Sequence, residues 1–251
     1  MADALIDVHD LTYVYHDGTR ALDGLSLHIK VGESVGLVGP NGAGKSTFIL
    51  HLNGTLRGSG VVRIHGVELD KHHIRDVRRM VGLVFQDPDD QLFMPTVFDD
   101  VAFGLLHLGL SEAEVRARVA AALAVVGCEG LEHKAPHHLS AGQKRAAAIA
   151  TVLAMRPDIL VMDEPTSNLD PRSRRRLIER LATLDITKVI ATHDLDMILD
   201  LCPRTVVMDA GRLVADGPTE AIFADEALLM AHGLERPLSR QGKLRSPRDR
   251  E

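Results

Sequence analysis

Between Leu5 and Tyr15 apolar and polar residues roughly alternate, and after a His16-Asp17-Gly18-Thr19 turn the pattern resumes at Leu22, Leu25, Leu27 and Ile29. Two such runs predict an antiparallel β layer. An apolar β-prone run, Ser34 to Val38, comes next, then a glycine-rich stretch and a helix-compatible run from Thr47 to Leu52. Gly58-Ser59-Gly60 turns the chain into Val61 to Ile64, His65-Gly66 makes a tight turn, and Val81 to Phe85 reads as a buried strand ending in Gln86. From Asp87 the character changes. D-P-D-D-Q-L-F-M-P-T-V is polar, broken by proline and dotted with large apolar side chains, which fits a surface segment that docks on something or an ordinary packed loop.

Ser111-Glu112-Ala113-Glu114 is a capping box, and Val115, Val119, Ala122, Leu123 and Val126 form a helical stripe that stops at Gly127. A second box, Ser140-Ala141-Gly142-Gln143, opens an alanine-rich helix predicted to reach Met155. Asp158 to Glu164 reads as a buried strand ending in two carboxylates. Asp170-Pro171 caps another helix, with Leu177, Ile178, Leu181 and Leu184 at helical spacing. Lys188 to Thr192 is one more buried strand and delivers His193 at its end. Thr205 to Met208 and Arg212 to Ala215 read as a closing hairpin through Asp209-Ala210-Gly211, and from about Glu235 the chain is basic and poorly patterned, as in a flexible tail.

Composition narrows the setting. The 251 residues fit one large domain or two small ones, and 45% apolar content supplies a sizeable core. A net charge of −6 gives no reason to expect nucleic acid as a partner. Cys128 and Cys202 form no C-x-x-C pair and point to a reducing compartment without a disulfide framework. No N-terminal stretch looks like a signal peptide, and the longest apolar run, Ala146 to Met155, is too short to span a bilayer. A membrane role is therefore expected to come through a partner.

The glycine-rich stretch, Gly39-Pro40-Asn41-Gly42-Ala43-Gly44-Lys45-Ser46-Thr47, matches G-x-x-x-x-G-K-[ST] between a strand and a helix. Glycines 39, 42 and 44 let successive N–H groups converge on one concavity, and the helix that follows adds its positive end. Polyphosphate is the expected guest, with Lys45 reaching the β- and γ-phosphates, Ser46 giving its hydroxyl to Mg²⁺ and Thr47 adding a donor. The bland alternative is a glycine-rich turn. Tyr13 and Tyr15 share a strand face, and Tyr15, nearer the strand end, either stacks on a base or packs. Asp163 and Glu164 after a hydrophobic strand fit nucleotide hydrolysis, Asp163 holding Mg²⁺ through water and Glu164 polarising the attacking water.

The phosphate loop, Gln86, L-S-A-G-Q at Leu139 to Gln143, I-L-V-M-D-E-P-T at Ile159 to Thr166, S-N-L-D at Ser167 to Asp170 and A-T-H-D at Ala191 to Asp194 occur in one order. On these motifs the chain resembles the ATP-binding-cassette (ABC) ATPases over nearly its whole length. The resemblance implies an α/β fold: a RecA-like phosphate-loop core with an antiparallel β subdomain and an inserted helical subdomain. It implies one domain over 1–234, with core segments 1–86 and 158–234, helical subdomain 87–157, and the tail at 235–251. It also implies ATP and Mg²⁺ as cofactors. Gln86 would sense Mg²⁺ and the γ-phosphate, Glu164 would act as base, and His193 would contact the γ-phosphate. Ser140 and Gly142, with Gln143 beside them, would bind ATP held by an opposite subunit, so a dimer follows. Asn168 and Asp170 would form a loop that communicates across it. Ala141 stands where the family most often has glycine.

The absence of a tandem cassette, of a long heptad insertion and of a fused membrane span leaves a stand-alone ATPase serving a separate membrane complex. Val81 to Gly104 looks like the energy-coupling-factor importers, which take up vitamins or transition-metal ions. Gly54 to Gly60 and His137 to Lys144 are most similar to the cobalt and nickel members. The implied partners are a second ATPase copy or paralogue, a transmembrane coupling protein and a substrate-binding membrane component, with this chain peripheral on the cytoplasmic face of the membrane. An importer ATPase for another solute such as a vitamin, or a weakly hydrolysing heterodimer partner suggested by Ala141, is the alternative. The 13 histidines include His72-His73 and His137-His138, which lack further ligands at supporting spacing and read as surface residues, so no residue here is expected to touch the transported ion.

Overall fold

The computed structural model describes residues 4–241. β1 (Ala4–Val14) and β2 (Arg20–Lys30) pair antiparallel, with Ile6 opposite Ile29 and Val8 opposite Leu27, so the alternating apolar residues share one buried face. β3 (Ser34–Val38) leads into the glycine-rich loop and α1 (Lys45–Leu52). β4 (Ser59–Ile64) then pairs with the other side of β1, and the short β5 (Val67–Glu68) closes a four-stranded layer in the order β2-β1-β4-β5. α2 (Ile74–Met80) leads to β6 (Val81–Val84).

The stretch from Asp87 is partly packed and partly exposed. Asp100 accepts hydrogen bonds from the backbone N–H of Phe93 and Met94, both at 2.9 Å, while the Phe93 ring is left in solvent, edge-on to Phe103. Three helices follow: α3 (Val97–Leu106), α4 (Glu112–Val126) and α5 (Ala141–Leu153). Both predicted capping boxes form, and α4 ends on Gly127 in the left-handed region. The side chains buried by α4 are those of the predicted stripe, Val115, Val119, Ala122, Leu123 and Val126.

β7 (Ile159–Asp163), α6 (Pro171–Ala182), β8 (Thr187–Ala191), α7 (Leu195–Leu201), β9 (Arg204–Asp209), β10 (Arg212–Pro218), α8 (Thr219–Ala224) and α9 (Glu226–Ala231) complete the chain. The second sheet runs β10-β9-β3-β8-β7-β6. Strands β9, β3, β8, β7 and β6 run parallel to one another, with β10 antiparallel at one edge, and they are mostly apolar because both faces are covered. One face packs on α1 and the antiparallel layer, the other on the helices. α1 lies between the two sheets, with Phe48, Ile49 and Leu52 fully buried.

One feature adds to the pattern reading and one departs from it. The closing hairpin forms, with Arg212 opposite Asp209 and Leu213 opposite Met208, and it extends the central sheet, since β9 lies parallel to β3 with Leu37 opposite Val206. The tail was expected to start at 235, yet a 3₁₀ turn at Leu238–Arg240 docks on the body: Ser239 N–H donates to Asp196 Oδ1 at 3.2 Å and Arg240 pairs with Glu220. The rest of that expectation, residues 242–251, lies outside the described residues.

Candidate active site

Strands β3, β8 and β7 are neighbours, and their register sets Leu37 and Asp163 on either side of Ala191. The residues that follow each strand therefore emerge at one edge, the carboxyl edge of a parallel sheet, where such sheets bind ligands. In this way the phosphate loop, Asp163-Glu164 and Thr192-His193 meet although the chain separates them widely.

The loop needs its glycines. Gly42 and Gly44 have φ of 80° and 99°, and a Cβ on Gly44 would run into the carbonyl oxygen of Ala21. The turn between β9 and β10 braces it from the side, Gly211 N–H donating to Ala43 O at 3.0 Å. Lys45 is buried, and its Nζ donates to Gly39 O at 2.7 Å and Pro40 O at 3.0 Å, so the ammonium sits in the mouth of the loop. Burial pushes its pKa down, with Glu164 and Asp163 pulling it back up. Asn41 is exposed at the loop tip. Tyr15 lies at the rim, its hydroxyl 3.0 Å from Thr47 Oγ1, whereas Tyr13 turns its ring edge to the buried His51. Of the two tyrosines, only Tyr15 reaches the loop.

Asp163 is buried beside Ser46. Burial raises its carboxyl pKa; the Ser46 hydrogen bond lowers it, the Glu164 charge raises it again, and Lys45 and Arg145 lower it. A buried carboxylate next to a hydroxyl is a hard oxygen donor set, which fits Mg²⁺. Glu164 adopts a left-handed φ of 45°, a conformation uncommon outside glycine that turns its side chain back along the sheet edge. There its Oε2 accepts from Thr192 Oγ1 at 2.7 Å, its Oε1 accepts from His193 N–H at 3.0 Å, and the His193 imidazole Nδ1 lies 2.8 Å from Oε2. His193 is otherwise exposed.

Ser140 and Gly142 open α5, on a different side of the molecule's chemistry: their hydrogen bonds stay within that helix. Gln143 spends its carboxamide oxygen on the Ser140 N–H at 3.0 Å, so the predicted nucleotide contact of Gln143 coincides with a capping role. Ala141 is exposed, and its methyl group borders a cleft shared with Gln86, Asn168 and Leu169. The structure thus brings Lys45, Ser46, Asp163, Glu164 and His193 to one edge, and leaves Ser140 exposed and Gly142 half-buried with its Cα against Ser173. Gln86 stands exposed after β6.

Sequence reasoning missed two residues. Thr192 holds the Glu164 carboxylate. Arg145, fully buried, donates to Phe85 O at 2.8 Å, Gln86 O at 2.6 Å and Ser167 Oγ at 3.3 Å, and Ser167 Oγ in turn donates to Glu164 O at 2.9 Å. This chain of bonds runs from the segment around Gln86 to the backbone carbonyl of Glu164, the residue that follows β7. The available signal was a lone basic residue inside an otherwise apolar helical stripe, which solvated arginines do not occupy.

The family described as "ABC transporter" matches residues 22–167. An energy-coupling factor transporter ATP-binding protein EcfA from Methanothermobacter thermautotrophicus is 48% identical over 239 residues, 93% of this chain and 77% of the relative. Among solved structures, cbiO1 from Clostridium perfringens, described as part of the ABC transporter complex cbiONQ, superposes with a TM-score of 0.81 at 41% identity, covering 91% of this chain and 94% of that one. A dimeric ATP-binding cassette in a post-hydrolysis state, bound to ADP and Pi, superposes with a TM-score of 0.78 at 28% identity, covering 85% and 98%.

Proposed function

The chain belongs to the ATP-binding-cassette family of transport ATPases, and from that premise we propose that it is the ATP-hydrolysing subunit of an energy-coupling-factor importer for cobalt or nickel ions. The observation that carries the ATPase reading is the convergence of Lys45, Asp163, Glu164 and His193 on the ends of β3, β7 and β8. The importer class draws on the EcfA and cbiO1 likenesses, which extend over nearly the whole chain.

In this reading Lys45 leaves the carbonyls of Gly39 and Pro40 to meet the β- and γ-phosphates, and the loop N–H groups from Gly39 to Thr47 take the remaining oxygens. Tyr15 lies beside the base. Ser46 and Asp163 would hold Mg²⁺ with Gln86 nearby, and the ion would neutralise charge on the phosphates. Glu164, oriented by Thr192 and the His193 N–H, accepts the proton of the attacking water. The His193 imidazole swings from Glu164 toward the γ-phosphate. Ser140 and Gly142, with the positive end of α5 behind them, meet the ATP seated on a second subunit. Phe93, Phe103 and Leu106, exposed together beside α3, form the surface that passes closure to a transmembrane coupling protein at the cytoplasmic face of the membrane.

The experiment is capture from detergent-solubilised membranes of source cells with the tagged chain, followed by reconstitution of what is captured and uptake of radioactive Co²⁺ or Ni²⁺. A polytopic coupling protein in the captured set and ATP-dependent metal uptake are the expected results. Capture of membrane proteins that move a vitamin instead would transfer the chain to another importer, and failure to capture any would remove the importer reading.

A further inference from the structure

The outer face of the antiparallel layer carries a side-chain cluster that ATP hydrolysis leaves unused. Asp7 on β1 lies directly across the ladder from His28 on β2 and from Arg63 on β4, and His9, two residues on, shares its face while Ile6 and Val8 point into the core. His9 Nε2 lies 2.9 Å from Asp7 Oδ1 and 3.0 Å from Oδ2, and His28 Nδ1 contacts Oδ1 as well. The two imidazoles meet edge to face with centroids 5.0 Å apart.

Asp7 Oδ1 is shut off from solvent and accepts no well-formed hydrogen bond, although two ring nitrogens converge on it. Each neutral imidazole turns either its N–H or, in the other tautomer, its lone pair toward that oxygen, and in the second form both rings and the carboxylate present lone pairs to one point. In that form the cluster offers a cation two imidazole nitrogens and a carboxylate oxygen.

We propose that Asp7, His9 and His28 bind one divalent transition-metal ion of the zinc, cobalt or nickel type. One ligand atom from each of the three residues lies within 4.8 Å of the others. A tetrahedral ion with bonds near 2.1 Å spaces its ligands roughly 3.4 Å apart, so His9, 2.9 Å from Asp7 Oδ1, needs to retreat by about half an ångström and the closer His28 by more. Two imidazoles and one carboxylate favour a borderline ion over Mg²⁺ or Ca²⁺. The rings are 43% and 53% exposed, which gives the ion a way in and leaves its remaining positions to water. Arg63 Nη1, 4.0 Å from Asp7 Oδ2, engages the outer oxygen and leaves Oδ1 for the metal. The ion would pin β1 to β2 at the end of β1 remote from Tyr15. This inference stands apart from the transport reading and from the residues that fit Mg²⁺. No spacing in the sequence announces the site, because the ladder, not a local motif, assembles it.

The test uses the untagged full-length chain, stripped with EDTA and kept in excess Mg²⁺, titrated with Co²⁺ in the spectrophotometer and with Zn²⁺ in the calorimeter. A single ion per chain with the visible band of low-coordinate cobalt is expected. His28→Ala and Asp7→Asn should each weaken binding about tenfold or more, and His72→Ala should not. Zn²⁺ should raise the thermal midpoint of the wild type and not that of His28→Ala. Unchanged Mg²⁺-ATPase activity would show that the variants are folded. Wild-type affinity in His28→Ala and Asp7→Asn, or no binding to the wild type, would overturn the proposal.

Discussion

Single residues set the chemistry. Glu164 is held from three directions, and the proposed function makes its carboxylate the base. Glu164→Gln keeps size and hydrogen bonding but loses the base, so phosphate release should fall about two to four orders of magnitude while titration with a fluorescent ATP analogue finds binding intact. Near-normal turnover in that variant would move the base elsewhere. The cysteines invite a second measurement. Burial pushes Cys128 up to about 11 and Cys202 up to about 12, so neither forms thiolate near neutrality. Neither thiol should react with a chromogenic disulfide until denaturant is added. At this scale the sequence was most legible where chemistry demands a fixed residue type next to a strand end, as at Lys45, Asp163 and His193. It was silent on Thr192 and Arg145, since a threonine and an arginine serve too many ends for type alone to reveal a role.

Secondary-structure elements transmit what residues begin. Arg145 ties α5 to the segment after β6, and hydrogen bonds from a charged donor contribute roughly 1.5–3 kcal/mol each. Arg145→Met leaves the carbonyls of Phe85 and Gln86 without it, and should lower the urea midpoint while Lys45 still takes ATP; an unchanged midpoint would show that water replaces the guanidinium without loss. A second tie joins α6 to the start of α7: Arg174 Nε and Nη2 donate to the Asp194 carboxylate at 2.6 and 2.7 Å. Burial alone would raise the Asp194 carboxyl, but Arg174, the Met197 N–H and Thr166 hold it below its ordinary value. A depressed acid contributes stability that is present above its unfolded pKa and lost as pH falls through the folded one. Stability should therefore drop on acidification below the ordinary carboxylate range, and drop less in Asp194→Asn. Helices with capping boxes were readable because Ser-x-x-Glu and Ser-x-x-Gln place both ends of a local bond within four residues. The placement of β9 beside β3 was not, because an apolar run does not say which strand it will join.

At the scale of the whole molecule, the proposed function assigns the loop of one copy and the helix tip at Ser140 of another to a single ATP, and the oligomeric state tests it. Glu164→Gln with ATP and Mg²⁺ should sediment at twice 27.3 kDa, and wild type with ADP at the single mass. A monomer under both conditions would contradict the split site. Motif order carried the resemblance from which the two half-sites were expected, but the Asp7, His9 and His28 cluster appears only once the sheet sets its register. The burial of α1 has a further consequence. Its apolar side chains form part of the seam between the two layers, so neither layer can come away without dissolving the turn that precedes it. Amides of Phe48 to Leu52 should then exchange with deuterium only as the whole protein opens, and no half-unravelled species should retain a grip on nucleotide. For this helix, unravelling would abolish the nucleotide loop and the native state together.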